Sequence, residues 1–186
     1  MPAPRRVAVI VGSLRKESFN LKLAKALAAM AKPALEFEIL DISHLPLFNQ
    51  DWEASPPPEV TEFKQRIKAA DAVLFVTPEY NRSVPGVLKN AIDVGSRPYG
   101  QSAWSGKPGA VISASPGAIG GFGANQHLRQ SMVFLDVPMM AQPEAYIGGA
   151  AKLFDAQGGF ASEDTRKFMD QFLQAYARWI DRNAPR

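Results

Sequence analysis

Two short runs of uninterrupted apolar, largely β-branched residues, VAVIV at Val7–Val11 and AVLFVT at Ala72–Thr77, constrain this chain more than any other feature. A strand with one face in water alternates apolar and polar residues. A strand with no charged position has both faces covered, as in a parallel sheet sandwiched between helices. The segment LEFEILDI alternates instead, with Leu35, Phe37 and Ile39 on one face and Glu36 and Glu38 on the other, which places it nearer a sheet edge. A fourth strand is predicted at Gly109–Ser115. A fifth is predicted near Val137–Met140, where Pro138 and Pro143 crowd it.

Helical spacing fills the intervals. Leu23, Leu27 and Met30 share a stripe, as do Val60, Phe63, Ile67 and Ala70, the second set entered through the stiff segment SPPPE. Ser83 is placed to cap a third helix running through Ala91, with Pro85 in its first turn. The last helix carries Phe168, Phe172, Tyr176, Trp179 and Ile180 on one face, with Ser162 as N-cap and Glu163 and Asp164 in its first turn. Strand and helix alternate along the chain, which predicts a doubly wound α/β sandwich. At 186 residues and 46% hydrophobic content, one core over residues 1–186 is expected, a single domain.

A net charge of +3 is a mild excess, too small for a nucleic-acid-binding face. The absence of cysteine excludes thiolate nucleophiles and cysteine-ligated metal. No run reaches bilayer length and the N-terminus lacks a signal h-region, so no membrane association and a cytoplasmic location are expected. His44 and His127 have no partners at metal-ligand spacing, so no metal is expected. Ser13 and Ser115 lack a GxSxG elbow, and Asp41, Asp71 and Asp93 lack the pairing that glycoside chemistry uses.

Ligands of open parallel sheets bind beyond the carboxyl ends of the strands, beside the point where strand order reverses. The turn GSLRKESFN, Gly12–Asn20, follows the first apolar run. Its backbone N–H groups, the start of the next helix, the side chains of Ser13, Ser18 and Asn20, and the guanidinium of Arg15 suit a phosphate. It is neither a P-loop nor a GxGxxG fingerprint. The plain alternative is a connecting turn with Ser18 as N-cap and Arg15 in solvent. After the third strand, TPEYNRSVPGVLKNAID offers Pro78 to end the ladder and Tyr80 and Asn81 to line a pocket for a flat ligand; alternatively Glu79, Asn81 and Ser83 only cap the next helix. After the fourth, SPGAIGGFGANQHLRQ brings Gly117, Gly120, Gly121 and Gly123, which allow backbone to approach a ligand or merely make a flexible turn. Three such loops on consecutive strand ends say more than any one. Arg97, in GSRP, is a candidate for attracting an anionic substrate, or a solvated arginine.

Taken in order, GSLRKESFN, PEYNRSVPGVLKNAID and SPGAIGG resemble the NADPH-dependent FMN reductase family, in its bacterial chromate and quinone reductase branch, over Val7 to about Phe154. The resemblance implies a flavodoxin-like five-stranded parallel sheet of order 2-1-3-4-5 with helices on both faces, and non-covalent FMN at its carboxyl edge. By motif, Ser13, Arg15, Ser18 and Asn20 hold the FMN phosphate; Pro78, Glu79, Tyr80 and Asn81 border the isoalloxazine; Ser115, Gly117 and Gly120 contact its far side or pyrimidine edge. It further implies NADPH or NADH as donor, quinones, chromate or similar small molecules as acceptors, and a homodimer or homotetramer. Val94 stands where many relatives read tryptophan, which bears on packing but on none of the matched contacts. No catalytic acid, base or nucleophile is needed, because the flavin carries the chemistry. Two other classes remain open from the sequence: a flavodoxin-type electron carrier and a non-enzymatic nucleotide-binding module.

Overall fold

A computed structural model describes residues 3–184 of the chain. Five parallel strands, β1 (Arg5–Val11), β2 (Leu35–Leu40), β3 (Ala72–Thr77), β4 (Gly109–Ala114) and β5 (Ala145–Ile147), form one sheet in the order β2-β1-β3-β4-β5. The winding reverses between β1 and β3, so the carboxyl ends of these two strands open a crevice where connections leave in opposite directions. The crossovers are α1 (Phe19–Ala31), α2 (Pro58–Ala69), α3 (Gly86–Ser96) and α4 (Phe122–Phe134), and α5 (Glu163–Asn183) closes the chain.

The apolar runs behave as their composition demands. Val7, Val9, Val11, Leu74 and Val76 face a layer made by α1 and α5, while Ala8, Ile10, Val73 and Phe75 face α2, α3 and α4. Every residue of β3 and β4 is buried. Burying one Val, Leu or Phe side chain contributes roughly 1.5–3 kcal/mol. Each layer fully buries a large aromatic whose polar tip is satisfied. Tyr176 is fully buried and its hydroxyl donates to the Val73 carbonyl at 2.6 Å. Trp104 is equally buried and its indole N–H donates to the Ile92 carbonyl at 2.9 Å. Gly95 is what lets that indole approach α3, since a Cβ there falls 2.5 Å from Trp104 Cζ2. Val94 is buried in this same layer.

The alternating segment at Leu35 is the β2 edge strand, Ser162 caps α5 as expected, and Ser18 caps α1, as in the plain alternative for its turn. Two expectations shift. Pro85, not Ser83, precedes α3, which continues past Ala91 to Ser96; Ser83 is consumed by a tight hairpin described below. The last strand begins at Ala145 rather than near Val137. Between Val137 and Met140 the chain already runs beside β4, with Met139 bridging to Gly109, but Pro138 has no N–H to donate and Pro143 interrupts before the ladder resumes.

Candidate active site

Gly12 follows β1 directly and its N–H donates to the Val76 carbonyl at 2.9 Å. A Cβ at this position falls 2.8 Å from Thr77 Oγ1 and 3.0 Å from Leu88 Cδ2, so only glycine lets the turn leave the sheet this close to β3 and α3. The turn then spends few of its own donors. Ser18 N–H reaches the Arg15 carbonyl, Ser18 Oγ accepts from Leu21 N–H at 3.2 Å, and Lys22 N–H reaches the Ser18 carbonyl. Among the described residues, no acceptor takes the N–H groups of Ser13, Leu14, Arg15, Phe19 or Asn20. Two of these belong to the first turn of α1, which contains no acidic side chain, so the helix dipole adds to a local positive potential.

Charge is arranged to match. Arg15 lies over the Phe19 ring, 4.9 Å from its centroid, and donates to the Glu17 carbonyl at 2.5 Å. Glu17 is turned outward onto Lys22 at 2.6 Å; the hydrogen bond from Lys22, then its charge, holds the Glu17 carboxyl below its usual range. Asn20 is buried and donates to the Ala114 carbonyl at 3.0 Å, tying the turn to the end of β4. That bond fixes the amide orientation and leaves Asn20 Oδ1 as a buried oxygen without a partner.

Beyond β3 the chain makes a two-residue hairpin. Tyr80 and Ser83 exchange backbone hydrogen bonds at 3.2 and 2.9 Å, with Asn81 at φ 50° and Arg82 at φ 62°. Left-handed backbone suits asparagine and is costly for arginine, so surrounding contacts must hold it. Glu79 supplies some of them, its carboxylate accepting from Ala124 N–H at 3.1 Å and lying 3.7 Å from Arg82.

The glycine-rich connection after β4 is folded against the sheet rather than loose. Gly117 N–H goes to Ser115 Oγ at 3.2 Å and Gly120 N–H to the Gly117 carbonyl at 3.3 Å. Ala118 and Ile119 N–H have no acceptor among the described residues. Gly120, at φ +65°, sits so close to β5 that a Cβ falls 2.5 Å from the Tyr146 carbonyl carbon.

These three connections enclose a cleft of about 180 Å³ lined by Ser13, Arg15, Ser18, Asn20, Pro78, Glu79, Tyr80 and Ser115, all singled out from the sequence, together with Phe19, Ala114 and Pro116, which were not. Nothing in the motifs marks Phe19; it is there because the first turn of α1 faces the cleft. Asn81, Gly117 and Gly120 belong to the same connections but lie outside its immediate lining. Arg97 is elsewhere. It follows the far end of α3, bonds Glu53 through Nε at 2.7 Å, stacks on Phe48, and within one chain does not border the cleft. A larger groove, about 680 Å³, runs between the C-terminal ends of α3 and α4; it carries Arg97 and the hydroxyls of Ser96, Ser102, Ser105 and Ser131, but none of its lining comes from the connections that follow β1, β3 and β4.

Chemically, the cleft joins an anion cradle to a wall of proline and tyrosine suited to a flat ring. The donor set at the turn fits a phosphate monoester, and Pro78, Tyr80 and Pro116 fit the face or edge of an aromatic heterocycle.

The sequence model of the NADPH-dependent FMN reductases matches residues 5–152. A quinone reductase from Pseudomonas putida is 62% identical over 178 residues, 95% of each chain. A 2-hydroxy-1,4-benzoquinone reductase from a Burkholderia species is 52% identical, covering 94% of this chain and 96% of its own. Among solved structures, a flavoenzyme NAD(P)H:(acceptor) oxidoreductase from Paracoccus denitrificans superposes with a TM-score of 0.93 at 48% identity, covering 97% of this chain and all of its own.

Proposed function

Because this chain belongs to the NADPH-dependent FMN reductase family, we propose that it is an FMN-dependent NAD(P)H:quinone oxidoreductase whose active site is the cleft between the connections after β1, β3 and β4. The observation that carries the reading is the set of unspent N–H groups at Ser13–Arg15 and Phe19–Asn20, gathered with Ser13, Ser18 and Arg15 beside Pro78 and Tyr80. FMN, when bound, supplies the site that accepts hydride from NAD(P)H and returns two electrons to the acceptor.

The residues divide the remaining work. Ser13, Arg15 and Ser18 take the phosphate together with the backbone N–H of Asn20, with α1 contributing its dipole. Pro78, Tyr80 and the backbone of Glu79 and Asn81 border one side of the ring, and Ser115, Gly117 and Gly120 shape the other. Since Gly117 and Gly120 N–H are spent internally, the N–H groups of Ala118, Ile119 and Gly121 are donors left among the described residues of that connection to meet developing negative charge. The exposed side chains of Tyr80, Ile119 and Phe122 give these connections an apolar outer surface suited to quinones; chromate and other small acceptors are also proposed. Either NADH or NADPH serves as donor, and a cytoplasmic location follows from that donor.

We assign a homodimer, or a homotetramer built from it. Val133 and Phe134 are each 80% exposed at the end of α4, and Tyr99 is 82% exposed on the rim of the 680 Å³ groove. Apolar side chains clustered this way are the usual mark of a subunit contact. Steady-state kinetics with NADPH and a benzoquinone test the catalytic reading. One cleft used in turn by donor and acceptor gives parallel double-reciprocal lines; intersecting lines require two simultaneous sites and count against it.

A further inference from the structure

The glutamate of the PEYN segment has a side chain that serves the fold of the cleft in a way its motif does not disclose. Helix α4 begins at Gly121, a left-handed N-cap at φ 79° with no side chain of its own to accept a hydrogen bond. Helices ordinarily fill this need from the preceding residue, with serine, threonine, aspartate or asparagine. Here the acceptor comes from another connection 45 residues away: Glu79 Oε2 takes Ala124 N–H at 3.1 Å. The Glu79 side chain is only 12% exposed, and its other oxygen lies 3.7 Å from Arg82. A carboxylate at the positive end of α4 is favourably placed in both respects.

The same hairpin is held a second time. Ser83 Oγ and His127 Nδ1 are 2.9 Å apart, so α4 grips Glu79–Ser83 at its first turn and again near its second. Gly123 lies at the tightest point of contact. A Cβ there falls 2.7 Å from the Arg82 carbonyl oxygen and 3.0 Å from Glu79 Oε2. No positive φ is required at this glycine; what it provides is room for the hairpin.

We propose that Glu79 is a positioning residue: by capping α4 it fixes the spacing between the two connections that flank the flavin ring, and its side chain is not a direct flavin ligand. The inference rests on the reading of the cleft as the FMN site. It explains how Arg82 is kept at φ 62°, since the hairpin is tied on both sides of that residue. It also assigns the negative charge of Glu79 to the helix end and Arg82 rather than to the ring.

The test compares Glu79→Gln with Glu79→Ala. Glutamine keeps an oxygen able to accept from Ala124 N–H; alanine does not. Two readouts are taken: hydrogen exchange of the first-turn amides of α4 in the apoprotein, and the FMN dissociation constant from quenching of flavin fluorescence. Alanine is expected to speed exchange at Ala124 and weaken FMN binding roughly tenfold, with glutamine within about threefold of the parent on both. Gly123→Ala, which leaves Glu79 intact but wedges the hairpin away, is expected to weaken FMN binding as the alanine variant does, and it stands in if Glu79→Ala does not fold. Equal loss in the glutamine and alanine variants, or unchanged exchange at Ala124 in Glu79→Ala, overturns the proposal. So does parent-like FMN binding by Gly123→Ala. Failure of the parent protein itself to bind FMN defeats the cofactor reading instead, and the exchange measurement still decides whether Glu79 caps α4.

Discussion

Replacing Ser18 with alanine separates the structural and binding duties of one hydroxyl. Ser18 is 2% exposed and its oxygen accepts from Leu21 N–H at 3.2 Å, so the substitution removes the N-cap of α1. Loss of such a cap costs about 1 kcal/mol, which in a chain of this size lowers Tm by about 2–4 °C. The hydroxyl proton has no acceptor among the described residues, and in the proposed site it goes to a phosphate oxygen. A hydrogen bond to a charged group is worth about 1.5–3 kcal/mol, which corresponds to roughly 10- to 100-fold in affinity. Riboflavin offers the same ring without the phosphate. Titrating apoprotein with both ligands therefore isolates the second duty: Ser18→Ala weakens FMN by that factor and leaves riboflavin nearly unchanged. Equal weakening of both ligands, or of neither, refutes the assignment of the β1–α1 turn to the phosphate, whatever happens to Tm.

Burial raises the Tyr176 hydroxyl well above its ordinary value of 10.0, so the folded state keeps a proton that the unfolded chain releases; this contribution is intact below pH 10 and is lost as pH rises beyond it. Tyr176→Phe should lower Tm by a few degrees at neutral pH, about 1 kcal/mol for the hydrogen bond to Val73, and flatten the alkaline loss of stability in denaturant titrations. Gly120→Ala combines a positive φ with a Cβ 2.5 Å from backbone, and should destabilise by about 2 kcal/mol or more in thermal unfolding. Phe134→Glu places a charge at the proposed subunit contact and should yield monomers in sedimentation velocity with unchanged circular dichroism; an unaltered oligomer would move the contact elsewhere.

Local pattern carried the fold because its determinants are local. An all-apolar β3 and an alternating β2 report which faces are covered, and that is a property of consecutive residues. Likewise eight of the cleft residues stand in strand-end connections that sequence order alone brings to one sheet edge. What escaped depends on contacts between distant segments. Ser83 is a sound helix cap by its neighbours, yet the hairpin and His127 claim it. Glu79 caps a helix that begins more than forty residues later, and no spacing rule announces such a partner. Arg97 shares its motif neighbourhood with the α3 segment, but a helix of eleven residues carries it away from the cleft to Glu53. The fifth strand was displaced because prolines bar a ladder at particular residues without saying where it resumes.

What the cleft does is read from the visible absorption spectrum of FMN-loaded protein, recorded anaerobically, on adding NADPH and then a benzoquinone. For an NAD(P)H:quinone oxidoreductase, NADPH bleaches the flavin band within one turnover and one equivalent of quinone restores it. A bound flavin that NADPH leaves coloured, or that stays bleached after quinone is added, contradicts that function.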